Sequence, residues 1–359
     1  MMQKINQKRT RRVLKDVTNA FRGMEQNAVD GMKKIALNKR VSVDAPIPSR
    51  SKIQQVSCFV KKTNNVHNGG QIDRNNVPDF GTTSQSYQHI GRIDDIDERD
   101  SSNPVFATDF VLDMYERFRK IEEETSARAN YMKYQSEINE SMRSILVDWL
   151  IEVHLKFKMV PETLYLTVNL IDRYLERNKV SKHHLQLVAV GCLFIASKYE
   201  EIFPPQIRDL VYICDKAYNE NEIIKMEEIV LKSLEYRITV PSAHTFFVRF
   251  LKAAHADQEI LQISCYILDG TLQAYSLLNY LPSQLAAAAI FIARRTVGRN
   301  PWSPTLLKYA SYSEEEIIPV ARAVLEAKSS SSSSLRAVNK KYRCSRDDSV
   351  ANIVFECDF

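Results

Sequence analysis

Residues that could carry out enzyme chemistry are few in this sequence and form no recognisable site. Seven histidines and six cysteines could bind zinc or act as nucleophiles, but no Cys-x-x-Cys pair or His-Glu-x-x-His element occurs among them. His183 and His184 are neighbours, but adjacent helical positions point in different directions, so we favour solvent exposure over metal ligation for both. Nine glycines form no phosphate-binding loop. The sequence therefore predicts a protein that works by binding, not an enzyme, and that requires no cofactor or metal.

Charge is distributed unevenly along the chain. The whole sequence carries 49 Lys and Arg against 44 Asp and Glu, a formal net charge of +5. Residues 1–62, the basic head, hold 15 Lys and Arg against 4 Asp and Glu, so their net charge is +11 and that of residues 63–359 is −6. A basic segment attracts polyanions, but the acidic remainder argues against a body that binds nucleic acid.

Residues 1–104 are predicted to be a disordered regulatory tail. They contain basic clusters, Asn, Ser and Gly, with little sustained apolar periodicity. The amino terminus lacks the apolar segment of a secretory signal, and no uncharged apolar stretch reaches the ~18 residues that a membrane helix needs. Scattered cysteines are typical of reduced thiols. We therefore expect a protein of the nucleus and cytoplasm that contacts no membrane.

From residue 105 onward, apolar residues recur at spacings of three and four, which predicts an all-α body. Helix start signals divide this body into two sets of five helices, one in residues 105–240 with a preceding helix and one in residues 241–351. Leu193–Lys198 aligns with Ile290–Arg295 at an offset of 97, each in the middle helix of its set. We interpret the pattern as an internal duplication, with six serines at 329–334 as a linker and residues 352–359 as a tail.

Individual helices follow from apolar spacing and from capping residues. The predicted ranges are 142–157, 161–176, 181–200, 205–214, 219–234, 242–256, 258–277, 283–297, 304–310, 314–327 and 335–342. Helix 142–157 is apolar over most of its circumference, which predicts that it forms the centre of a bundle. Ser303 precedes Pro304, and we favour a helix N-cap over a proline-directed phosphorylation site there.

Three long motifs resemble one protein family. Met142–Leu150 reads MRSILVDWL and resembles the cyclin-box hallmark, with serine in place of one alanine. The stretch from Leu185 to Pro205 resembles the family's next block, and Pro304–Val320 is similar to the corresponding segment of B-type, mitotic cyclins. The resemblance implies two tandem five-helix cyclin repeats in a regulatory subunit that activates a mitotic cyclin-dependent Ser/Thr kinase and drives the G2/M transition. The alternatives are an A-type cyclin acting in S phase and, more distantly, a DNA-binding transcription factor with a double cyclin fold.

The resemblance also implies a kinase-binding face in the first repeat. Lys198 and Glu227 match the residues that hold the kinase αC helix in its active, inward position. Without the resemblance, Lys198 would be interpreted as a solvated helix end and Glu227 as an ordinary intrahelical partner. The matching apolar contact positions are Ile195, Tyr199, Leu231, Tyr236 and Ile238, with Phe110 and Met114 on the helix before the first repeat.

A second implied surface is a docking patch for Arg-x-Leu segments of substrates and inhibitors. In the family, the leucine of such a segment binds an apolar floor and its arginine lies near an acidic residue. The matching positions are Met142, Ile145, Leu146, Trp149, Glu152 and Gln186. The first five share one helical stripe; on the same helix we favour core positions for Leu150 and Val153.

The basic head contains a degradation motif. Residues 11–19 satisfy the pattern Arg-x-x-Leu-x-x-x-x-Asn through Arg11, Leu14 and Asn19, and they resemble the destruction box of mitotic cyclins. The resemblance implies recognition by the anaphase-promoting ubiquitin ligase and removal by ubiquitin-mediated proteolysis. Residues 8–12 match a nuclear-import signal, with general attraction to polyanions as the alternative.

Overall fold

The computed structural model describes residues 93–343, 350–353 and 355, and within them it contains twelve α-helices and no β-strand, which confirms the all-α prediction. Helix α1 is Thr108–Ile121. The first repeat consists of α2 (Glu140–Phe157), α3 (Pro161–Arg177), α4 (Leu185–Glu200), α5 (Ile207–Ile213) and α6 (Glu220–Ser233). The second repeat consists of α7 (Ala243–Ala253), α8 (Gln258–Thr271), α9 (Pro282–Thr296), α10 (Pro304–Ala310) and α11 (Glu314–Ser329), and α12 is Ala337–Arg343. The basic head and the destruction box lie outside the described residues.

Most helix starts match the side-chain signals in the sequence. Asn219 and Glu222 form the predicted capping box of α6, and the Ser303 hydroxyl accepts a hydrogen bond from the Leu306 N–H at 3.3 Å as the N-cap of α10. Ser181 does not cap α4. Its hydroxyl lies 2.8 Å from His184 Nδ1, and the helix begins four residues later, at Leu185.

Helix α8 ends earlier than predicted. It stops at Thr271, and a 3₁₀ turn over Tyr275–Asn279 replaces the expected last part of the helix. The carbonyl of Leu272 accepts a hydrogen bond from Arg143, and that of Gln273 accepts one from the Ser144 hydroxyl. These bonds hold the chain after α8 against α2, and a continued helix would use the same carbonyls internally.

The two middle helices confirm the duplication. Helix α4 packs against α3 and α6, and α9 packs against α7, α8 and α11. Both are apolar on most sides, and most of their residues are buried. Helix α2 was predicted to be central, but it lies at the junction of the repeats, against α3, α4, α12 and the 275–279 turn. Its wide apolar stripe reflects neighbours from both repeats.

Arg143 fixes α2 at that junction. Its guanidinium is buried and donates to both carboxylate oxygens of Asp172 on α3 at 2.6 Å, and to the Leu272 carbonyl at 3.0 Å. The Tyr131 hydroxyl donates to the same carboxylate. Burial lowers the pKa of Arg143, but Asp172 raises it more, so the pKa lies above its usual range and the ion pair stays charged.

No helix within the described residues combines the length and apolar character needed to cross a bilayer.

Candidate functional site

The candidate surface is organised by a close crossing of α4 and α6. Gly191 lies on α4 where α6 passes, and a Cβ atom at this position would lie 2.9 Å from Met226 Cγ and 3.5 Å from the backbone nitrogen of Glu227. Only a glycine permits this separation without a shift of the Met226 side chain or of its helix. The crossing therefore brings Glu227 alongside α4.

Lys198 occupies the same stripe of α4 two turns later. Its ammonium forms an ion pair with the Glu227 carboxylate and lies 4.1 Å from the centre of the Phe194 ring. The Lys198 side chain is 41% exposed and that of Glu227 is 14% exposed. The carboxylate and the ring hold the ammonium in one place while leaving it accessible from outside. The structure thus brings the two predicted residues into direct contact.

Exposed apolar side chains surround the end of α4. Tyr199 is 50% exposed, Tyr236 is 64% exposed, and Phe203 in the following loop is 90% exposed. The Tyr199 hydroxyl lies 2.5 Å from Thr239 Oγ1, which ties the end of α4 to the segment after α6. Large apolar groups left in water at this density are typical of a surface that another protein covers.

The remaining predicted contact positions of the first repeat are less accessible. Ile195 and Ile238 are buried, and Leu231 is half-buried. In the chain alone, these three side chains pack in or against the core and support the exposed residues. Their contact with a kinase stays a prediction.

Helix α1 uses one face for packing and leaves the other exposed. The Tyr115 hydroxyl donates to the Thr245 carbonyl at 2.9 Å, and the Arg119 guanidinium lies 4.4 Å from the Tyr312 ring centre, so this face binds the second repeat. Phe110 and Met114 lie outside that contact and are 65% and 45% exposed. The predicted kinase-facing positions of α1 are therefore accessible.

A series of contacts joins α1 to the end of α4. Helix α1 contacts Thr245 at the start of α7, and His244 Nδ1 in the same turn lies 3.3 Å from Glu162 Oε1 at the start of α3. Glu201, which follows α4, accepts hydrogen bonds from the Val160 N–H at 2.8 Å and the Thr163 hydroxyl at 2.6 Å at that same end of α3. Neighbouring helix ends thus link the surfaces around Phe110 and Lys198.

The predicted docking patch is partly formed on α2. Met142, Ile145 and Trp149 are half-buried on one stripe, and Gln186 of α4 is half-buried as well. Leu146 is buried, as are Leu150 and Val153, for which core positions were favoured. Glu152 Oε1 lies 3.2 Å from Lys340 Nζ on α12, so the carboxylate expected to bind a substrate arginine already has a cationic partner.

Sequence reasoning missed three residues of this surface: Gly191, Phe194 and Phe203. The available signal was a glycine inside an otherwise apolar helix, seven residues before Lys198, since such a glycine marks a close helix approach. Among the described residues, no group of three or more His, Cys, Asp or Glu side chains is arranged to hold a metal ion.

Comparison with known proteins agrees with this geometry. The family model described as "Cyclin, N-terminal domain" matches residues 113–239, and "Cyclin, C-terminal domain" matches residues 241–356. Cyclin-B1-2 of Arabidopsis thaliana is 44% identical over 265 residues, which cover 73% of this chain and 59% of that protein. The G2/mitotic-specific cyclin-B of Marthasterias glacialis is 40% identical over 263 residues, covering 73% of this chain and 68% of that protein.

A solved structure also shares the fold. The viral cyclin from herpesvirus saimiri matches with a TM-score of 0.54 and 20% identity, over 60% of this chain and 96% of that one. With two matched family models that together span most of the chain and relatives that are B-type cyclins, the protein is a member of the cyclin family, of the B type.

Proposed function

We propose that the protein is the regulatory subunit of a mitotic cyclin-dependent Ser/Thr kinase and supplies no catalytic group of its own. The observation that carries the proposal is the Lys198–Glu227 pair, in which the lysine is accessible and around which apolar side chains are exposed. A protein interface typically has such a composition, with an apolar centre and a few fixed charged groups. The B-type relatives support a role in cell division at the G2/M transition.

Activation requires the surface to bind the active kinase conformation more tightly than the inactive one. Moving a kinase from 1% to 99% active needs a difference of about 5.5 kcal/mol in binding free energy between the two states. A preformed surface suits this task, because its side chains lose little freedom on binding. The Phe194 ring holds the Lys198 ammonium in place, and the contact between the Tyr199 and Thr239 hydroxyls holds the Tyr199 ring. Both side chains are therefore preorganised for binding.

The test is reconstitution of the full chain with a purified cyclin-dependent kinase and measurement of histone phosphorylation. We expect an increase of at least 100-fold over the kinase alone, and co-elution of the two proteins in size-exclusion chromatography. An unchanged rate despite co-elution would leave binding without activation and reject the proposal, as would the absence of a complex with every mitotic kinase tested.

We further propose that the α2 stripe recruits Arg-x-Leu substrates and inhibitors. Met142, Ile145 and Trp149 provide a half-buried apolar floor, and Glu152 provides the acid. Because Lys340 pairs with Glu152, an incoming arginine competes with it. Met142→Ala with Trp149→Ala should reduce phosphorylation of an Arg-x-Leu substrate about 10-fold and spare a minimal peptide, whereas Lys340→Ala should strengthen binding of an Arg-x-Leu peptide a few-fold. Equal effects on both substrates would refute a separate docking role.

The proposal extends to removal of the protein after mitosis. Arg11, Leu14 and Asn19 would be recognised by the anaphase-promoting ubiquitin ligase, and the basic head would support entry to the nucleus from the cytoplasm. Arg11→Ala with Leu14→Ala should prolong the protein's lifetime through anaphase. An unchanged half-life beside a stabilised control cyclin would reject this assignment.

The alternatives have less support. The Arabidopsis and Marthasterias relatives are both B-type, which disfavours an A-type protein acting in S phase. A DNA-binding double cyclin fold needs a basic body, and residues 63–359 carry a net charge of −6.

A further inference from the structure

A groove of about 1250 Å³ lies on the side of the molecule where α2, α8, α11 and α12 meet. The serine run, residues 329–334, forms part of its wall and connects α11 to α12. Neither the Lys198 surface nor the Met142–Trp149 floor includes this run. The proposed function therefore leaves the run without a role.

Cations dominate the charged lining of the groove. Lys328, Arg336, Lys340 and Arg343 line it, and Glu140 is the one carboxylate among its described lining residues. Lys340 pairs with Glu152, whereas Lys328, Arg336 and Arg343 form no ion pair with another described residue. The groove therefore has an excess of positive charge that the described part of the chain does not neutralise.

Lys328 is the most unusual of these cations. Its ammonium lies 3.8 Å from the centre of the Tyr266 ring and 5.3 Å from that of Phe355, and the side chain is half-buried. Burial lowers its pKa to about 8. Two aromatic faces compensate for part of its lost hydration, but an anion would do so far better.

The serines are placed for modification. All six are exposed, and residues 331–336 lie outside the helices. Their hydrogen bonds are local: the Ser332 and Ser334 hydroxyl oxygens are 2.9 Å apart, and the Ser333 carbonyl accepts a hydrogen bond from Arg336 Nε at 3.3 Å. Lys328 precedes Ser331 by three residues and Arg336 follows Ser333 by three, a basic flanking pattern that suits a kinase with an acidic substrate site.

We propose that Ser331–Ser334 is a phosphorylation site for a basophilic Ser/Thr kinase, and that the resulting phosphate binds the cations of the adjacent groove. In the reaction, a serine Oγ attacks the γ-phosphorus of ATP, an Oγ–P bond forms, and the bond to the β,γ-bridging oxygen breaks. ADP leaves, and the hydroxyl proton passes to the catalytic base of that kinase. The phosphoserine carries a charge of about −1.5 to −2 and three acceptor oxygens, which suit Arg336 and Lys328.

Phosphorylation would restrict the movement of the serine run that links α11 to α12. A phosphate held between the end of α11 and the start of α12 fixes the serine run over the groove and ties α12 more firmly to the second repeat. Because α12 also packs against α2, the modification acts at the junction of the repeats and away from Lys198. The proposal is independent of kinase activation by the protein.

The first experiment maps the modification. The full chain is incubated with Mg-ATP and two purified basophilic kinases, and phosphate is located by mass spectrometry. We expect phosphate on Ser331–Ser334 and its loss from the run in the variant with all four serines changed to alanine. Absence of phosphate from the run after incubation with both kinases would overturn the site, whether or not other serines are phosphorylated.

The second experiment tests docking without depending on a kinase. Phosphoserine is installed at position 331 by genetic encoding, and the rate of acetylation of Lys328 by acetic anhydride at pH 8 is compared with that of the exposed Lys308. Because a bound phosphate raises the pKa of Lys328 and covers it, we expect its rate to fall at least threefold while that of Lys308 is unchanged. Arg336→Gln should reduce the protection, and phosphoserine at the exposed Ser102, three residues after Arg99, should give none.

An unchanged Lys328 rate in the protein with phosphoserine at 331 would overturn docking. If a free phosphoserine peptide protects Lys328 in the unmodified protein and phosphoserine at 331 does not, the groove binds a separate partner and the intramolecular proposal is also wrong.

Discussion

Equivalent helix ends in the two repeats use their cations in different ways. Lys198 at the end of α4 is accessible, with Glu227 and Phe194 beside it. Arg294 near the end of α9 is buried, and its guanidinium donates to the carbonyls of Asn300 at 2.8 Å and Ala254 at 2.5 Å. Lys198 thus faces outward beside the candidate surface, whereas Arg294 connects two loops within its own repeat.

The exposed apolar side chains follow the same division. In the described part of the second repeat, Val248 and Leu307 are the large apolar residues that reach high exposure, whereas the others belong to the first repeat or to the segment before it. The loops after the two middle helices account for part of the difference. Exposed Ile202 and Phe203 follow α4, whereas α9 ends near Gly298, whose φ of +72° turns the chain back toward Arg294. Within the described residues, the first repeat and the segment before it therefore carry most of the exposed apolar surface.

The largest loss of stability is expected from substitution of Arg143, which joins the two repeats. Arg143→Ala removes a buried guanidinium and leaves the buried Asp172 side chain without its cationic partner. We expect the free energy of unfolding to fall by about 3–5 kcal/mol, measured by urea denaturation. Arg117→Ala, at an exposed position of α1, should change it by less than about 0.5 kcal/mol. A loss below about 1 kcal/mol for Arg143→Ala would contradict the role given to this contact.

Arg294 and Lys198 sharpen the comparison directly, because loss of Arg294 should lower the free energy of unfolding much more than loss of Lys198. Arg294→Ala removes two charged hydrogen bonds to backbone carbonyls and should cost about 2–3 kcal/mol of stability. Lys198→Ala breaks a pair in which the lysine is substantially exposed and should cost less than about 1 kcal/mol. Thermal or urea unfolding of both variants tests this difference, and equal destabilisation would remove the distinction.

A smaller effect is expected from two helical glycines, one in each repeat, whose surroundings differ. Gly191→Ala places a Cβ 2.9 Å from Met226, and overpacking costs about 1–3 kcal/mol, offset by up to about 1 kcal/mol of helix propensity. Gly270 on α8 has no atom within 4 Å of a built Cβ, so Gly270→Ala should stabilise by about 0.5–1 kcal/mol. The two variants should therefore move the urea midpoint in opposite directions. A stabilising Gly191→Ala would show that α6 moves away without cost.

Much of the fold was predictable because its signals are local. Pro161, Asn219 and Ser303 mark helix starts by chemistry that acts within one turn, so helix number and order follow from the sequence. The end of α8 and the position of α2 were not predictable in this way. Both depend on Arg143 and Ser144 meeting carbonyls about 130 residues later in the chain.

The candidate site was predictable in position but not in geometry. The resemblance identified Lys198 and Glu227, but nothing local indicates that they form an ion pair, because the contact depends on the helix crossing at Gly191. The burial of Ile195 and Leu146 was also unpredictable. Each lies on an apolar stripe of its helix that includes both core and surface positions, and the sequence does not separate the two. The Lys340 partner of Glu152 comes from a helix 188 residues away.

The central claim is that binding resides in the first repeat at the end of α4, and matched charge reversals test it most directly. The affinity of a mitotic cyclin-dependent kinase is measured by calorimetry for the full chain, for Lys198→Glu and for Arg295→Glu. Lys198→Glu sets two carboxylates side by side at an interface centre, so we expect a loss of about 2–4 kcal/mol, or roughly 30- to 1000-fold in Kd. Arg295→Glu should change Kd less than about twofold. Equal losses in both variants, or an unchanged Kd for Lys198→Glu, would contradict the account.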